Sequence, residues 1–99
     1  MTDHFNKLSP AHHELLTKVF EEASEVIKVI AKIMLHGLDS VEPGQPWTNK
    51  EKLESELGDL QFFIRLAAGH RVVSYKEIAK AFYERGARKN HYLHHVEID

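Results

Sequence analysis

Five carboxylates in two short segments are the residues of this chain best suited to chemistry: Glu21, Glu22 and Glu25 in EEASE, and Glu56 and Asp59 in ELGD. Residues three apart on a helix share a face, so Glu22 points with Glu25, and Glu56 with Asp59. At about 100° per residue, Glu56 falls between Leu60 and Phe63, inside an apolar stripe. Asp59 falls on the margin of that stripe, beside Phe63. A lone carboxylate in such a place carries a heavy desolvation cost unless something compensates it. Glu22 and Glu25 flank the apolar stripe of the preceding helix. Glu21, Glu22 and Glu25 by themselves also fit a solvated face paired with Lys18, Lys28 and Lys32, but that reading leaves Glu56 unexplained. Four carboxylates, Glu22, Glu25, Glu56 and Asp59, converging on one or two divalent cations account for both segments. Oxygen-only ligation favours a hard ion, Mg²⁺ or Mn²⁺, over zinc. A di-iron bundle is the nearest competitor, but it calls for Glu-x-x-His, which the chain lacks.

The elements that position these groups are legible from capping and periodicity. Ser9-Pro10 starts a first helix, with Ser9 as N-cap and Pro10 at the first helical position. Leu16, Val19, Phe20, Ala23, Val26, Ile27, Ile30 and Met34 give it one apolar stripe, and Gly37 is placed to cap its end after His36. Residues 37–47, GLDSVEPGQPW, read as a loop that is long for a helical domain. Thr48 and Glu51 form a capping box that opens a second helix, which runs to about Gly69. Ser74 and Glu77 form another, opening a third helix that is expected to reach roughly His94. The second helix is apolar on more than one side: Leu53, Leu57, Leu60 and Ile64 form one stripe, while Phe62 and Leu66 point elsewhere. The expected fold is all-α, a three-helix subunit that completes a four-helix or larger bundle by homo-oligomerisation.

Composition narrows the classes. Ninety-nine residues with 42% hydrophobic and 28% charged content suit one folded domain. Thirteen Lys+Arg against fifteen Asp+Glu, a net charge of −2, give no support for nucleic-acid or membrane-surface binding. The absence of cysteine excludes disulfides, thiolate metal sites and a Cys nucleophile. No leader-like segment opens the chain and no apolar run approaches a membrane span, so a cytoplasmic protein is expected.

The pattern Glu-Glu-x-x-Glu followed by Glu-x-x-Asp resembles the signature of the MazG-like all-α nucleoside triphosphate pyrophosphohydrolases. EEASEVIKVIAKIMLHG, the Pro/Gly loop, TNKEKL, ESELGDL and the basic RGARKNHYLHH are similar to the short phage and bacterial members. The resemblance spans roughly Leu8 to His95. It implies cleavage of a (deoxy)nucleoside triphosphate between the α and β phosphates, to the monophosphate and pyrophosphate, with Mg²⁺ or Mn²⁺ and in dimers or tetramers. The role implied is pool sanitation or remodelling. Glu22, Glu25, Glu56 and Asp59 match the family's metal ligands. Glu21 matches the leading Glu, which orients the ligands or helps the attacking water; Glu21, Glu22 and Glu25 are together the catalytic candidates. The alternative is a non-catalytic helical interaction module of the same fold, against which the intact ligand set argues.

Hydrolysis at phosphorus needs an activated water and neutralised phosphoryl oxygens, both of which divalent ions supply. Further cations for the phosphates are Lys32, Arg85 and Arg88, each also compatible with a solubilising surface role. Gly86 interrupts the third helix between the arginines and puts Arg85 in more doubt than Arg88. Trp47 can stack on a base or anchor packing. Asn49 can read a base edge or support the Thr48 cap, and His36 can line the pocket or serve the end of its helix. His91, His94 and His95 share helical spacing, which suits either adventitious metal binding or a solvated or subunit-contacting helix end.

Overall fold

In a computed structural model of the protein, residues 5–88 and 93–96 are described. Among the described residues three helices follow one another: α1 (Pro10–His36), α2 (Asn49–Gly69) and α3 (Tyr75–Ala87). Each begins at the expected cap. Ser9 accepts a hydrogen bond from the His12 N–H with Pro10 at the first helical position, and Thr48 and Glu51 form the reciprocal capping box. At α3 the Ser74 hydroxyl accepts from the Glu77 N–H. Gly37 ends α1 with φ 90° and ψ 167°, a region that only glycine occupies without strain, and its N–H donates to the Ile33 carbonyl.

α1 and α2 pack against each other as an antiparallel hairpin, and α3 buries none of its side chains. Among the described residues, the buried apolar ones are Leu15, Val26, Val29 and Ala67. The radius of gyration, 17.2 Å, exceeds the roughly 13 Å of a compact 100-residue domain. One chain therefore leaves much of its apolar surface uncovered.

The apolar stripe expected on α1 is in fact two neighbouring faces. Leu15, Val19, Glu22, Val26, Val29 and Ile33 turn inward, buried or half-buried, whereas Leu16, Phe20, Ile27, Ile30 and Met34 are exposed. Phe20 is 74% and Met34 82% exposed, too much for core positions. Apolar residues stand in adjacent pairs along α1, and only the first of each pair reaches α2.

The third helix is shorter than expected. It ends at Ala87 with Arg88 as C-cap, and residues 93–96 are not helical. With no buried face to hold it and Gly86 in its last turn, propensity alone does not extend it. His94 and His95 consequently lack the helical spacing expected of them, and His91 lies outside the described residues. Gly86 meets no close backbone among the described residues, since a Cβ there would touch nothing within 4 Å.

Candidate active site

Glu56 is the residue around which the site is built. It lies on the inward face of α2 and is 8% exposed, a buried carboxylate where the periodicity placed it. Across the helix interface stands Glu22, half-buried on α1; one turn along α2 is Asp59, which is exposed. One oxygen from each of the three lies within 4.8 Å of the others. Partial burial pushes the Glu22 carboxyl above its usual 4.5, and repulsion from Asp59 and Glu56 adds to the shift, against a smaller opposing pull from Lys18. A hydrogen bond between the Glu22 and Glu56 carboxyl groups acts in the same direction. The cluster thus gathers like charges at the helix interface, and its three carboxylates could hold an oxygen-seeking divalent cation.

Lys52, one turn before Glu56, supplies part of the missing charge. Its Nζ is 3.2 Å from the Glu56 carboxylate and 5.7 Å from the centre of the Trp47 ring. Glu25 does not join the cluster: its carboxylate faces Lys28 at 3.8 Å. Glu21 is exposed and pairs with Lys18 at 3.2 Å.

Next to the cluster, between α1, the loop and the first turn of α2, is a cavity of about 190 Å³. Lys28, Lys32 and Lys52 line it, together with Glu25, Glu42 and Trp47. Glu25 and Lys52 connect the two places, since each is a single helical turn from Glu22 or Glu56. Lys32 donates to the Glu42 carboxylate at 2.8 Å, and this hydrogen bond and charge hold Glu42 below its usual 4.5. A second cavity of about 240 Å³ shares Lys32, Glu42 and Asn49 and is lined also by His36. Both are smaller than the roughly 300–1,000 Å³ pockets that enclose whole small molecules.

The loop that frames these cavities is firmly folded. The Gln45 N–H donates to the Glu42 carbonyl at 3.0 Å, with Pro43 and Gly44 (φ 83°) at the middle positions of the turn. Val41 bridges to Thr48, and the Asn49 and Lys50 N–H groups donate to Ser40 and Leu38. The buried Asn49 side chain donates to the Gly37 carbonyl at 3.1 Å, so it ties the start of α2 to the end of α1 rather than supporting the Thr48 cap.

The chain matches the MazG nucleotide pyrophosphohydrolase domain over residues 10–92. It belongs to that family. The matched stretch contains the three clustered carboxylates and both cavities. No curated protein and no solved structure matches the chain.

Of the residues singled out for this MazG domain in the sequence, Glu22, Glu56 and Asp59 come together, and Lys32, His36, Trp47 and Asn49 gather around the neighbouring cavities. Arg85 and Arg88, at the end of α3, line neither cavity. Two lysines gained a place that the sequence reading had not given them. Lys28 was visible as the (i, i+3) partner of Glu25, and Lys52 carried the signal of an (i, i+4) spacing to Glu56.

Proposed function

We propose that this MazG domain is a metal-dependent hydrolase that cleaves a (deoxy)nucleoside triphosphate between its α and β phosphates, releasing the monophosphate and pyrophosphate. The observation that carries this reading is the convergence of Glu22, Glu56 and Asp59 beside a lysine-lined cavity. Those three carboxylates, with Glu25 completing the set, would hold Mg²⁺ or Mn²⁺. Such ions supply charge neutralisation at the phosphoryl oxygens and lower the proton affinity of the attacking water. Lys28 and Lys32 exchange their present partners, Glu25 and Glu42, for phosphate oxygens. Glu25, once free of Lys28, would turn from the cavity wall to the ion, and a carboxylate of the Glu21, Glu22 and Glu25 group would accept the water's proton. Glu21, now paired with Lys18, would orient the ligands or help the attacking water. Trp47 and His36 bound the space for the base.

The functional unit is a homo-oligomer, a dimer or tetramer acting in the cytoplasm. The reading is supported by the exposed row of Leu16, Phe20, Ile27, Ile30 and Met34, a contiguous apolar face of the kind that marks an interface. Cavities too small for a whole nucleotide are a second support. No helix among the described residues is long and apolar enough to cross a membrane.

The test is release of pyrophosphate, as distinct from phosphate, from canonical and modified (deoxy)nucleoside triphosphates with Mg²⁺ or Mn²⁺. Pyrophosphate from one preferred base is the expected result. Silence across the panel with folded protein would favour a non-catalytic helical module.

A further inference from the structure

Lys52 belongs to two places at once. Its ammonium is ion-paired with the most buried carboxylate of the cluster, Glu56, at 3.2 Å, and the same side chain forms part of the wall of the neighbouring cavity. It also lies over the Trp47 ring at 5.7 Å, and its charge acts on Glu42, another residue of the cavity wall. Among the described residues, no other cation is ion-paired with Glu22, Glu56 or Asp59. Lys52 is half-buried on a flexible four-carbon stem, so its head can move without moving the helix.

We propose that Lys52 is an internal counter-ion that holds the place of the divalent cation at Glu56, and that it moves to the nucleotide's phosphates when the cation binds. Two cations competing for one buried carboxylate repel each other, so occupancy of Glu56 by a divalent ion displaces Lys52. The displaced ammonium already borders the cavity that holds Lys28 and Lys32, where it adds a third positive charge for phosphate. Its departure also uncovers the face of Trp47 that it now covers. Ion binding therefore prepares both the phosphate end and the aromatic end of the nucleotide space. The inference rests on the reading of Glu22, Glu56 and Asp59 as the ion site.

Trp47 is the sole tryptophan, so its fluorescence reports the position of Lys52 without a label. Mg²⁺ added to the full chain without nucleotide is expected to change that emission along the same isotherm that calorimetry gives for Mg²⁺ binding. Lys52→Met should abolish the change. It should also tighten Mg²⁺ binding about tenfold, because a competing charge is gone, and weaken inorganic tripolyphosphate binding in excess Mg²⁺ about tenfold. Lys52→Gln keeps a neutral hydrogen-bond donor beside Glu56, serves if Lys52→Met does not fold, and should behave alike. Lys52→Arg should restore tripolyphosphate binding. Unchanged or weaker Mg²⁺ affinity in the neutral variants, with normal binding by the wild type, would overturn the role of Lys52 and leave the ion site standing. No Mg²⁺ binding by the wild type would overturn both.

Discussion

Glu22 of α1 and Glu56 of α2 bring carboxylate oxygens to within 4.8 Å of each other across the helix interface, where hydrophobic contact would otherwise be expected. Both lie on inward faces, Glu22 between the turns of Val19 and Val26, and Glu56 between those of Leu53 and Leu60. A fold gains nothing in stability from two like charges in such positions. A bound cation, as proposed above, would account for their presence.

Glu56→Gln follows directly. Loss of one ligand should lower turnover by about 10³-fold or more, since ion-mediated stabilisation of phosphoryl charge is worth several kcal/mol. The metal-free protein should melt at the same temperature or higher, because repulsion with Glu22 and Asp59 is relieved. Steady-state rates with thermal denaturation in EDTA check both halves.

The pH dependence of the metal-free protein has a predictable sign on each side of 4.5. Glu22 is raised above 4.5, chiefly by desolvation, so the folded state binds more protons than the unfolded one. Its contribution is present at low pH and lost as pH rises from 4.5 through the raised value. Glu42 is lowered by Lys32, so its contribution is present above 4.5 and lost as pH falls towards its folded value. Melting temperatures in EDTA should therefore decline on both sides of 4.5. Glu22→Gln should flatten the upper side, Glu42→Gln should lessen the lower, to which Glu51, lowered by its hydrogen bonds with Thr48, also contributes, and Mg²⁺ should remove the upper decline in the wild type.

Asn49→Ala and Trp47→Ala separate support from recognition. Asn49 is buried and its amide donates to the carbonyl of the exposed Gly37, so truncation should cost about 0.5–1.5 kcal/mol, the net worth of one hydrogen bond, and leave base preference unchanged. Trp47 is partly exposed on the cavity wall, and Trp47→Ala should change the ratio of rates among bases. Melting curves and a base panel on both variants give the comparison.

Gly58 lies in the middle of α2, and a methyl group there would meet nothing within 4 Å. Gly58→Ala should stabilise the chain by about 0.5–1 kcal/mol, through the ordinary helix preference for Ala. A fall in melting temperature would show that a second copy packs closely on this face.

The parts of this fold that local chemistry decides were readable in the sequence. Ser9, Gly37 and Thr48 mark helix ends because orphan N–H and C=O groups need partners whatever the tertiary structure. The burial of Glu56 was readable because its angle about the α2 axis puts it among Leu60 and Phe63. Which face of α1 meets α2 was not readable. Leu15-Leu16, Val19-Phe20, Val26-Ile27 and Val29-Ile30 offer two apolar rows of similar strength, and only packing chooses between them. The partners of Glu25 and Lys52 stood among the candidates that helical spacing offers, but several opposite charges lie within one turn of each, and only packing chooses among them. The end of α3 depended on a missing buried face, which no local signal reports.

The most direct measurement is a crystal structure of the protein with Mn²⁺ and a non-hydrolysable α,β-methylene deoxynucleoside triphosphate, with the ion located by its anomalous signal. The account predicts a manganese peak at ligand distance from Glu22, Glu56 and Asp59, with the phosphates against Lys28 and Lys32. An ordered nucleotide with no manganese at those three carboxylates would contradict it.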